Sequence, residues 1–136
     1  MSVWASTAVP VTADLEAGYG SPVSDGKQIY IVDNGGVLFA FDVASGKQVW
    51  RKNLGTIQKS SPVLADGKLY VGTENGKFYV LKPGATDVQV LDEDEMPAGV
   101  DGNPQPIIAS PAVARGRIYL TTMEATFAIG PKAAPP

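Results

Sequence analysis

The densest group of potential ligands in the sequence is an acidic run, Asp92–Glu95, followed shortly by Asp101. Calcium takes six to eight oxygen ligands from carboxylates and carbonyls, so this run could supply a hard-cation site. Its spacing does not match an EF-hand loop. We favour the alternative of a solvated insertion loop from Asp92 to Pro106, kept extended by repulsion between carboxylates. Met96–Val100 would give that loop a small apolar tip that could touch a partner.

The composition removes several other kinds of chemistry. The 136 residues include no Cys and no His, so disulfides, Cys/His zinc sites and Ser-His-Asp triads cannot be built within the chain. The formal net charge is −3, which disfavours nucleic acid as a partner. No apolar run approaches the roughly 18 residues of a membrane helix, and we see no signal peptide at the start. We therefore expect no nucleic-acid partner and no membrane insertion.

Two further sets of residues have both a functional and a structural interpretation. A loose basic group could bind phosphate, but edge strands commonly carry Lys and Arg against aggregation, and we favour that interpretation. Its members are Lys47, Arg51, Lys52 and Lys59. Three tyrosines at equivalent positions could line a sugar-binding face, but their repetition favours packing within each unit. These are Tyr30, Tyr70 and Tyr119.

An internal repeat must position all of these residues. Three segments align from a Ser-Pro pair to a Tyr, and they begin at Ser21, Ser61 and Ser110, which are 40 and 49 residues apart. Spacings of about 40–50 residues are typical of β-propeller blades. The acidic run and the residues after it account for the longer second spacing.

The first two repeats each predict a four-stranded antiparallel meander, and the third stops before its fourth strand. In the first, a short strand after Pro22 is followed by strands at Gln28–Val32, Val37–Phe41 and Gln48–Lys52, with turns of two to four residues between them. The 15 Gly and 11 Pro are spread along the chain, as many short strands require. No segment shows the 3.6-residue period of a helix. The predicted fold class is therefore all-β, built of propeller blades.

A more specific motif ends the first repeat. The segment from Ala40 to Trp50 resembles the tryptophan-docking repeat of the pyrroloquinoline-quinone (PQQ)-like propeller family, Ala-x-Asp-x-x-Thr-Gly-x-x-x-Trp. Asp42 can accept backbone N–H bonds in the turn that follows, and Gly46 supplies a left-handed conformation. Trp50 is a large apolar plate suited to sealing the gap between blades. The matching residues are Ala40, Asp42, Ser45 in place of Thr, Gly46 and Trp50.

The resemblance extends over residues 1–130 with varying strength. The second repeat departs from the motif, and Leu91 stands where Trp is expected. Near the start, Val3 and Trp4 look like the end of a fourth strand. The predicted units are a blade-closing strand at 1–6, blades at 21–53 and 61–92, a partial blade at 108–130, and a polar Pro-rich tail at 131–136.

These units predict about three blades in an incomplete ring. Closed propellers have typically 4–8 blades, and open ends would expose apolar faces. We expect the chain to be the C-terminal part of a longer propeller, completed by the remaining blades. The alternative is self-assembly, in which two copies close one ring.

The resemblance implies fold more than chemistry. Quinone-dependent dehydrogenases of this family use a Glu/Asn/Asp calcium constellation, an Asp base and often a vicinal disulfide, and no segment here matches those motifs. We therefore expect no bound cofactor and no catalysis. The leading hypothesis is a protein–protein interaction scaffold of a bacterial cell envelope, periplasmic or extracellular by family resemblance. The alternatives are part of a quinone-dependent dehydrogenase whose active site lies outside the chain, and a carbohydrate-binding module.

Overall fold

The computed structural model describes residue 18 and residues 20–131. Within them the chain forms eleven β-strands and no helix, and hence none that could cross a membrane. The strands form three separate antiparallel sheets. The predicted all-β class, an incomplete propeller of about three blades, is confirmed.

The strands follow one another within each sheet in chain order. The first sheet contains β1 (Val23–Ser24), β2 (Gln28–Val32), β3 (Val37–Asp42) and β4 (Gln48–Asn53). The second contains β5 (Val63–Ala65), β6 (Lys68–Gly72), β7 (Lys77–Pro83) and β8 (Val88–Glu95). The third contains β9 (Ala112–Ala114), β10 (Arg117–Thr121) and β11 (Thr126–Ile129).

The acidic run belongs to a strand, so the prediction of an insertion loop beginning at Asp92 is wrong at its start. β8 continues to Glu95, beyond the predicted end of the second blade. The reason is its position at the edge of the sheet. From Gln89 to Glu95 every residue of β8 is exposed, so the carboxylates stay in water while the backbone pairs with β7. Charged side chains are well tolerated on such edges.

The register also corrects the residue assigned to the tryptophan position of the second blade. A bulge in the first sheet places Trp50 opposite Ala40, and a bulge in the second places Asp92 opposite Val80. Asp92, not Leu91, is therefore equivalent to Trp50. The paired β7–β8 ladder continues to Pro83 and Val88, two pairs beyond the position equivalent to the last β3–β4 pair, Phe41 with Gln48, which shifts the alignment. Leu91 falls in the bulge with 42% of its surface exposed.

Apolar cores fill the two junctions between neighbouring sheets, since alternate strand residues face opposite sides. The first core contains the buried residues Tyr30, Val32, Leu38, Ala40, Trp50, Leu54, Leu69, Val71, Tyr79 and Leu81. The second contains Tyr70, Phe78, Met96, Ile107 and Leu120. The second core requires Gly72, because a Cβ there would overlap the Ile107 side chain.

The serines that mark the repeats link one blade to the next. The Ser21 N–H donates to Ser61 Oγ at 2.7 Å, and the Ser61 N–H donates to Ser110 Oγ at 2.9 Å. These bonds lie just before the innermost strands β1, β5 and β9, which are neighbours in space. The sequence repeat therefore reflects a contact between blades, a role that the alignment alone did not reveal.

Two of the predicted segments cannot be placed. The predicted closing strand at 1–6, with Val3 and Trp4, lies outside the described residues, as does the tail beyond residue 131. Within the described part of the chain, β11 is paired with β10 alone.

Candidate functional site

The first junction between sheets is built around Trp50. Its indole is 5% exposed and lies 5.9 Å from the Tyr30 ring, centroid to centroid. Its Nε1–H donates to the Gly84 carbonyl at 3.0 Å, in the β7–β8 connection of the next sheet. Ala40, opposite Trp50 in the register, is fully buried and leaves room for the ring. Trp50 thus contacts both sheets through apolar area and one hydrogen bond.

The turn before β4 orients this tryptophan. Asp42 Oδ2 accepts hydrogen bonds from the Ser45 hydroxyl and the Ser45 N–H, each at 2.7 Å. These two hydrogen bonds hold the pKa of Asp42 below its usual range, and the bond from the Ser45 hydroxyl has the larger effect. Gly46 has φ of 70°, in the left-handed region that favours glycine, and its N–H donates to the Asp42 carbonyl at 2.8 Å. The turn is closed by its own polar groups.

A second polar pair closes the same junction. The Tyr30 hydroxyl donates to Asp25 Oδ2 at 2.7 Å, and Asp25 Oδ1 accepts the backbone N–H groups of Lys27 and Gln28. Desolvation opposes ionisation of Asp25, but these hydrogen bonds hold its pKa below the usual value. Burial and the carboxylate together raise the pKa of Tyr30. The pair is therefore an ionised carboxylate accepting from a neutral phenol.

One end of the blades carries the hairpin turns at 33–36, 73–76 and 122–125 together with the connections between sheets. Hydrogen bonds tie these elements together, among them Met96 N–H to the Gly76 carbonyl and Met123 N–H to the Pro106 carbonyl. We call this end the connection end. The opposite end, which we call the turn end, carries the β1–β2 and β3–β4 turns, joined by the Val43 N–H to the Lys27 carbonyl.

The most exposed apolar side chains of the described residues lie at the connection end. Val100 is 97% exposed, Met123 63% and Ile57 51%. Met96, predicted to share an exposed tip with Val100, is instead 7% exposed and packs in the second core. The predicted tip therefore begins at Pro97: Pro97, Ala98 and Val100 are exposed, and Val100 is its one large apolar side chain. Met123 and Ile57 carried no signal in the sequence, because exposed single apolar residues are common.

Acidic groups surround these apolar side chains. The Val100 N–H donates to Glu124 Oε1 at 3.0 Å, and Glu74 pairs with Lys59 at 2.9 Å. Asp101 accepts the Asn103 N–H at 3.0 Å, and its hydrogen bonds with Asn103 lower its pKa. Asp101 thus holds the loop in shape, and the connection end combines apolar tips with a mostly anionic rim.

The acidic strand and the basic group do not assemble into a site. Among the described residues, no group of three or more Asp or Glu is arranged to hold a metal ion. Glu93 pairs with Lys77 at 2.9 Å, and that hydrogen bond is the main cause of a lowered pKa of Glu93. On the edge strand β4, the Arg51 guanidinium lies over the Phe39 ring at 5.5 Å. Lys59 instead pairs with Glu74.

Comparisons with known proteins identify the same architecture. The family model described as outer membrane protein assembly factor BamB matches residues 2–125. Three solved structures are similar. BamB from Moraxella catarrhalis matches with a TM-score of 0.62 and 19% sequence identity. A europium-containing methanol dehydrogenase matches with a TM-score of 0.65 and 16% identity, and Myxococcus xanthus glutaminyl cyclase with a TM-score of 0.51 and 17% identity. No curated protein sequence matches the chain.

The structural matches cover most of this chain but a minority of each neighbour. The match to BamB covers 78% of this chain and 32% of BamB. The match to the methanol dehydrogenase covers 82% of this chain and 22% of that protein, and the match to the glutaminyl cyclase covers 80% of this chain and 46% of that protein. The chain thus spans less than half the length of each. At these identities the likeness concerns the fold alone.

Proposed function

The chain belongs to the PQQ-like repeat family described as outer membrane protein assembly factor BamB, and from that premise we propose that it is a non-catalytic propeller segment that binds protein through its connection end. The observation that carries this proposal is the exposure of Ile57, Val100 and Met123 at that end. Contiguous apolar patches rimmed by polar groups mark protein-binding surfaces, and the proposal takes these three side chains, exposed at the same end of the blades, as parts of one such patch.

The chemistry of the rim supports the same assignment. Protein interfaces usually have an apolar centre and a charged margin, and the connection end offers both kinds of side chain. Glu74, Asp101 and Glu124 would favour a partner that carries Lys or Arg around an apolar contact, because complementary charges steer association. The loop that presents Val100 is held by backbone and side-chain hydrogen bonds, so little ordering is needed on binding.

The cell envelope is the proposed location. The description of the family names outer membrane protein assembly, and we extend that setting to this chain. Trp50 acts in this proposal as the docking residue between the first two blades, which keeps the connection end rigid. The remaining blades of a longer propeller would extend the same surface.

The alternatives receive less support from the described residues. Tyr30 and Tyr70 are 1% and 8% exposed and lie within the cores, while Tyr119 is 38% exposed. One exposed ring of the three gives little support to a sugar-binding face. The likeness to a methanol dehydrogenase concerns the fold, and the chain contains no Cys for a disulfide over a quinone.

Affinity purification tests this function. The tagged protein is purified from its native host in three forms: wild type, a triple variant with Ile57→Ser, Val100→Ser and Met123→Ser, and a control with Val43→Ser. Val43 is also apolar and 40% exposed, but it lies at the turn end. We expect one set of proteins to be retained by wild type and control and lost from the triple variant. Identical sets in all three forms would refute binding through the connection end.

A further inference from the structure

We propose that the cleft between the second and third sheets binds an indole ring that carries a carboxylate, in the position that Trp50 occupies between the first and second. The residue equivalent to Trp50 in the second sheet is Asp92, which is exposed. The second junction therefore lacks the indole that closes the first.

The residues that would face this missing ring remain partly uncovered. In the first junction Leu69 and Leu81, which are opposite each other in the register, are fully buried in the core that contains Trp50. Their equivalents in the third sheet are Ile118 and Ile129, also opposite each other, and both are only half-buried. Two differences leave this pair uncovered: no aromatic side chain enters from the second sheet, and within the described residues β11 has no fourth strand beside it, whereas β7 is flanked by β8.

The space itself is large enough for such a ligand. The cleft has a volume of about 470 Å³, with Tyr70, Val113, Ile118 and Ile129 among its lining residues. The corresponding opening beside Tyr30 in the first junction measures about 260 Å³. Apolar walls suit an aromatic ring, which gains buried area, and Tyr70 can add a ring contact.

The charged side chains at the mouth of the cleft favour a ligand that carries a negative charge. Lys68 and Arg117 both line it, and the Arg117 stem packs against Gly130, where a Cβ would lie 2.9 Å from Arg117 Cγ. Asp66 also lies at the mouth, but its carboxylate is 93% exposed and 3.5 Å from the Lys68 ammonium. These three lining residues carry one net positive charge, and Asp92, which is exposed, is not among the residues that line the cleft. The Arg117 guanidinium can bind a carboxylate through two parallel hydrogen bonds.

The tyrosine at the base of the cleft supplies a further donor. In the first junction the Tyr30 hydroxyl is satisfied by Asp25. In the second, the residue equivalent to Asp25 is Ala65, and among the described residues Tyr70 has no hydrogen-bond partner for its hydroxyl. Within the described part of the chain, the Tyr70 hydroxyl can therefore donate to a ligand.

Titration with three small probes tests the charge requirement. N-acetyl-tryptophan represents the C-terminal tryptophan of a polypeptide, indole-3-propionate represents a free small acid, and tryptamine carries an ammonium group instead. Binding to the full chain is measured by calorimetry and by amide NMR shifts. We expect at least one carboxylate probe to bind and to shift the amides of Tyr70 and Ile118, and tryptamine to bind about tenfold more weakly or not at all, a difference of about 1.4 kcal/mol. The stronger carboxylate identifies the source of the ligand.

Variants test the place of binding. Arg117→Gln should weaken the carboxylate probe about tenfold, since a charge-assisted hydrogen bond contributes roughly 1.5–3 kcal/mol. The double variant Val80→Ala with Asp92→Trp supplies an internal indole and the room beside it, and it should abolish binding. Leu91→Trp is the matched control, because residue 91 lies in the bulge and should leave the affinity unchanged.

Each failure has a definite meaning. Absence of saturable binding by both carboxylate probes to the folded wild-type chain overturns the proposal. Equal affinity for tryptamine, or undiminished binding by the double variant with a native near-ultraviolet circular dichroism spectrum, overturns it as well. Lys68→Gln gives a second measure of the charge effect if Arg117→Gln perturbs folding, and its expected effect is a weakening of about threefold or more.

Discussion

The Trp50 indole N–H donates to the Gly84 carbonyl at 3.0 Å, which joins the last strand of the first sheet to the β7–β8 connection of the second. One side chain thereby provides apolar contact and a directional bond across the first junction. The second junction has no such residue, since Asp92 occupies the equivalent position. The two junctions are therefore expected to differ in stability and in access to small molecules.

Replacement of Trp50 measures the strength of the first junction. Trp50→Ala should lower the free energy of unfolding by about 3–5 kcal/mol, the usual cost of removing a buried Trp. Trp50→Phe keeps a ring but leaves the Gly84 carbonyl without its donor, and should cost about 1–3 kcal/mol. Tyr119→Ala, at a position 38% exposed, is the control and should cost about 1 kcal/mol or less. Urea denaturation gives all three values, and equal losses for Trp50→Ala and Tyr119→Ala would contradict the docking role.

The serine contacts predict a difference between two otherwise similar substitutions. Ser61→Ala removes the acceptor of the Ser21 N–H and should cost about 0.5–1.5 kcal/mol. Ser21→Ala should cost less, because the Ser21 backbone N–H, which makes the bond, is retained. Hydrogen exchange at the Ser21 amide gives a local measurement: it should accelerate in Ser61→Ala. Unchanged protection there would mean that the contact is not maintained in solution.

The Asp25–Tyr30 pair predicts the pH dependence of stability at both ends of the scale. The folded pKa of Asp25 lies below its usual value of 3.8, so its contribution is present above that value and is lost as the pH falls through the folded pKa. The folded pKa of Tyr30 is raised, so its contribution is present below about pH 10 and is lost as the pH rises further.

Two variants and one control separate these effects. Asp25→Asn should flatten the acid limb of stability against pH, and Tyr30→Phe should flatten the alkaline limb. Asp66→Asn changes a carboxylate that is 93% exposed and should leave the wild-type profile in place. Thermal unfolding at a series of pH values records all four curves, and an acid limb shared by Asp25→Asn and wild type would show that Asp25 does not contribute to it.

Two glycines with similar φ values predict very different costs of substitution. Gly26 has φ of 90° and no atom within 4 Å of an added Cβ, whereas at Gly36, with φ of 84°, the Cβ would overlap the Thr56 carbonyl. Gly26→Ala should cost about 1–2 kcal/mol, the strain of a left-handed backbone. Gly36→Ala should cost more than about 3 kcal/mol, because backbone must also move. Denaturation midpoints compare the two, and similar losses would show that the connection can move aside without cost.

The sequence predicted the repeated hairpins well because turn residues and alternating strands leave local signals. β2 at Gln28–Val32 has the predicted bounds, and β3 and β4 each extend one residue beyond theirs. The acidic composition of Asp92–Glu95 predicted a loop, but these residues belong to β8. The prediction failed because an edge strand also keeps its carboxylates in water. Leu91 was misassigned because residue type suggested an apolar replacement, whereas the longer β7–β8 ladder decides the register.

The candidate site was less accessible to sequence reasoning. Val100 was predicted as part of an exposed tip, but the burial of Met96 in the second core depends on how two sheets meet, which no local pattern records. Ile57 and Met123 become a group with Val100 only when separate connections are brought to one end of the blades. The uncovered pair of isoleucines beside Tyr70 likewise follows from the register and not from residue type.

Site-specific photocrosslinking in the native host tests the central claim most directly. A photoreactive residue is placed at Val100, at the connection end, and in parallel at Val43, at the turn end, in the full-length protein. The proposed function predicts a discrete protein adduct from position 100 that is absent from position 43 and is suppressed by Ile57→Ser together with Met123→Ser. The same adducts from both positions, or none from position 100 while position 43 crosslinks, would contradict it.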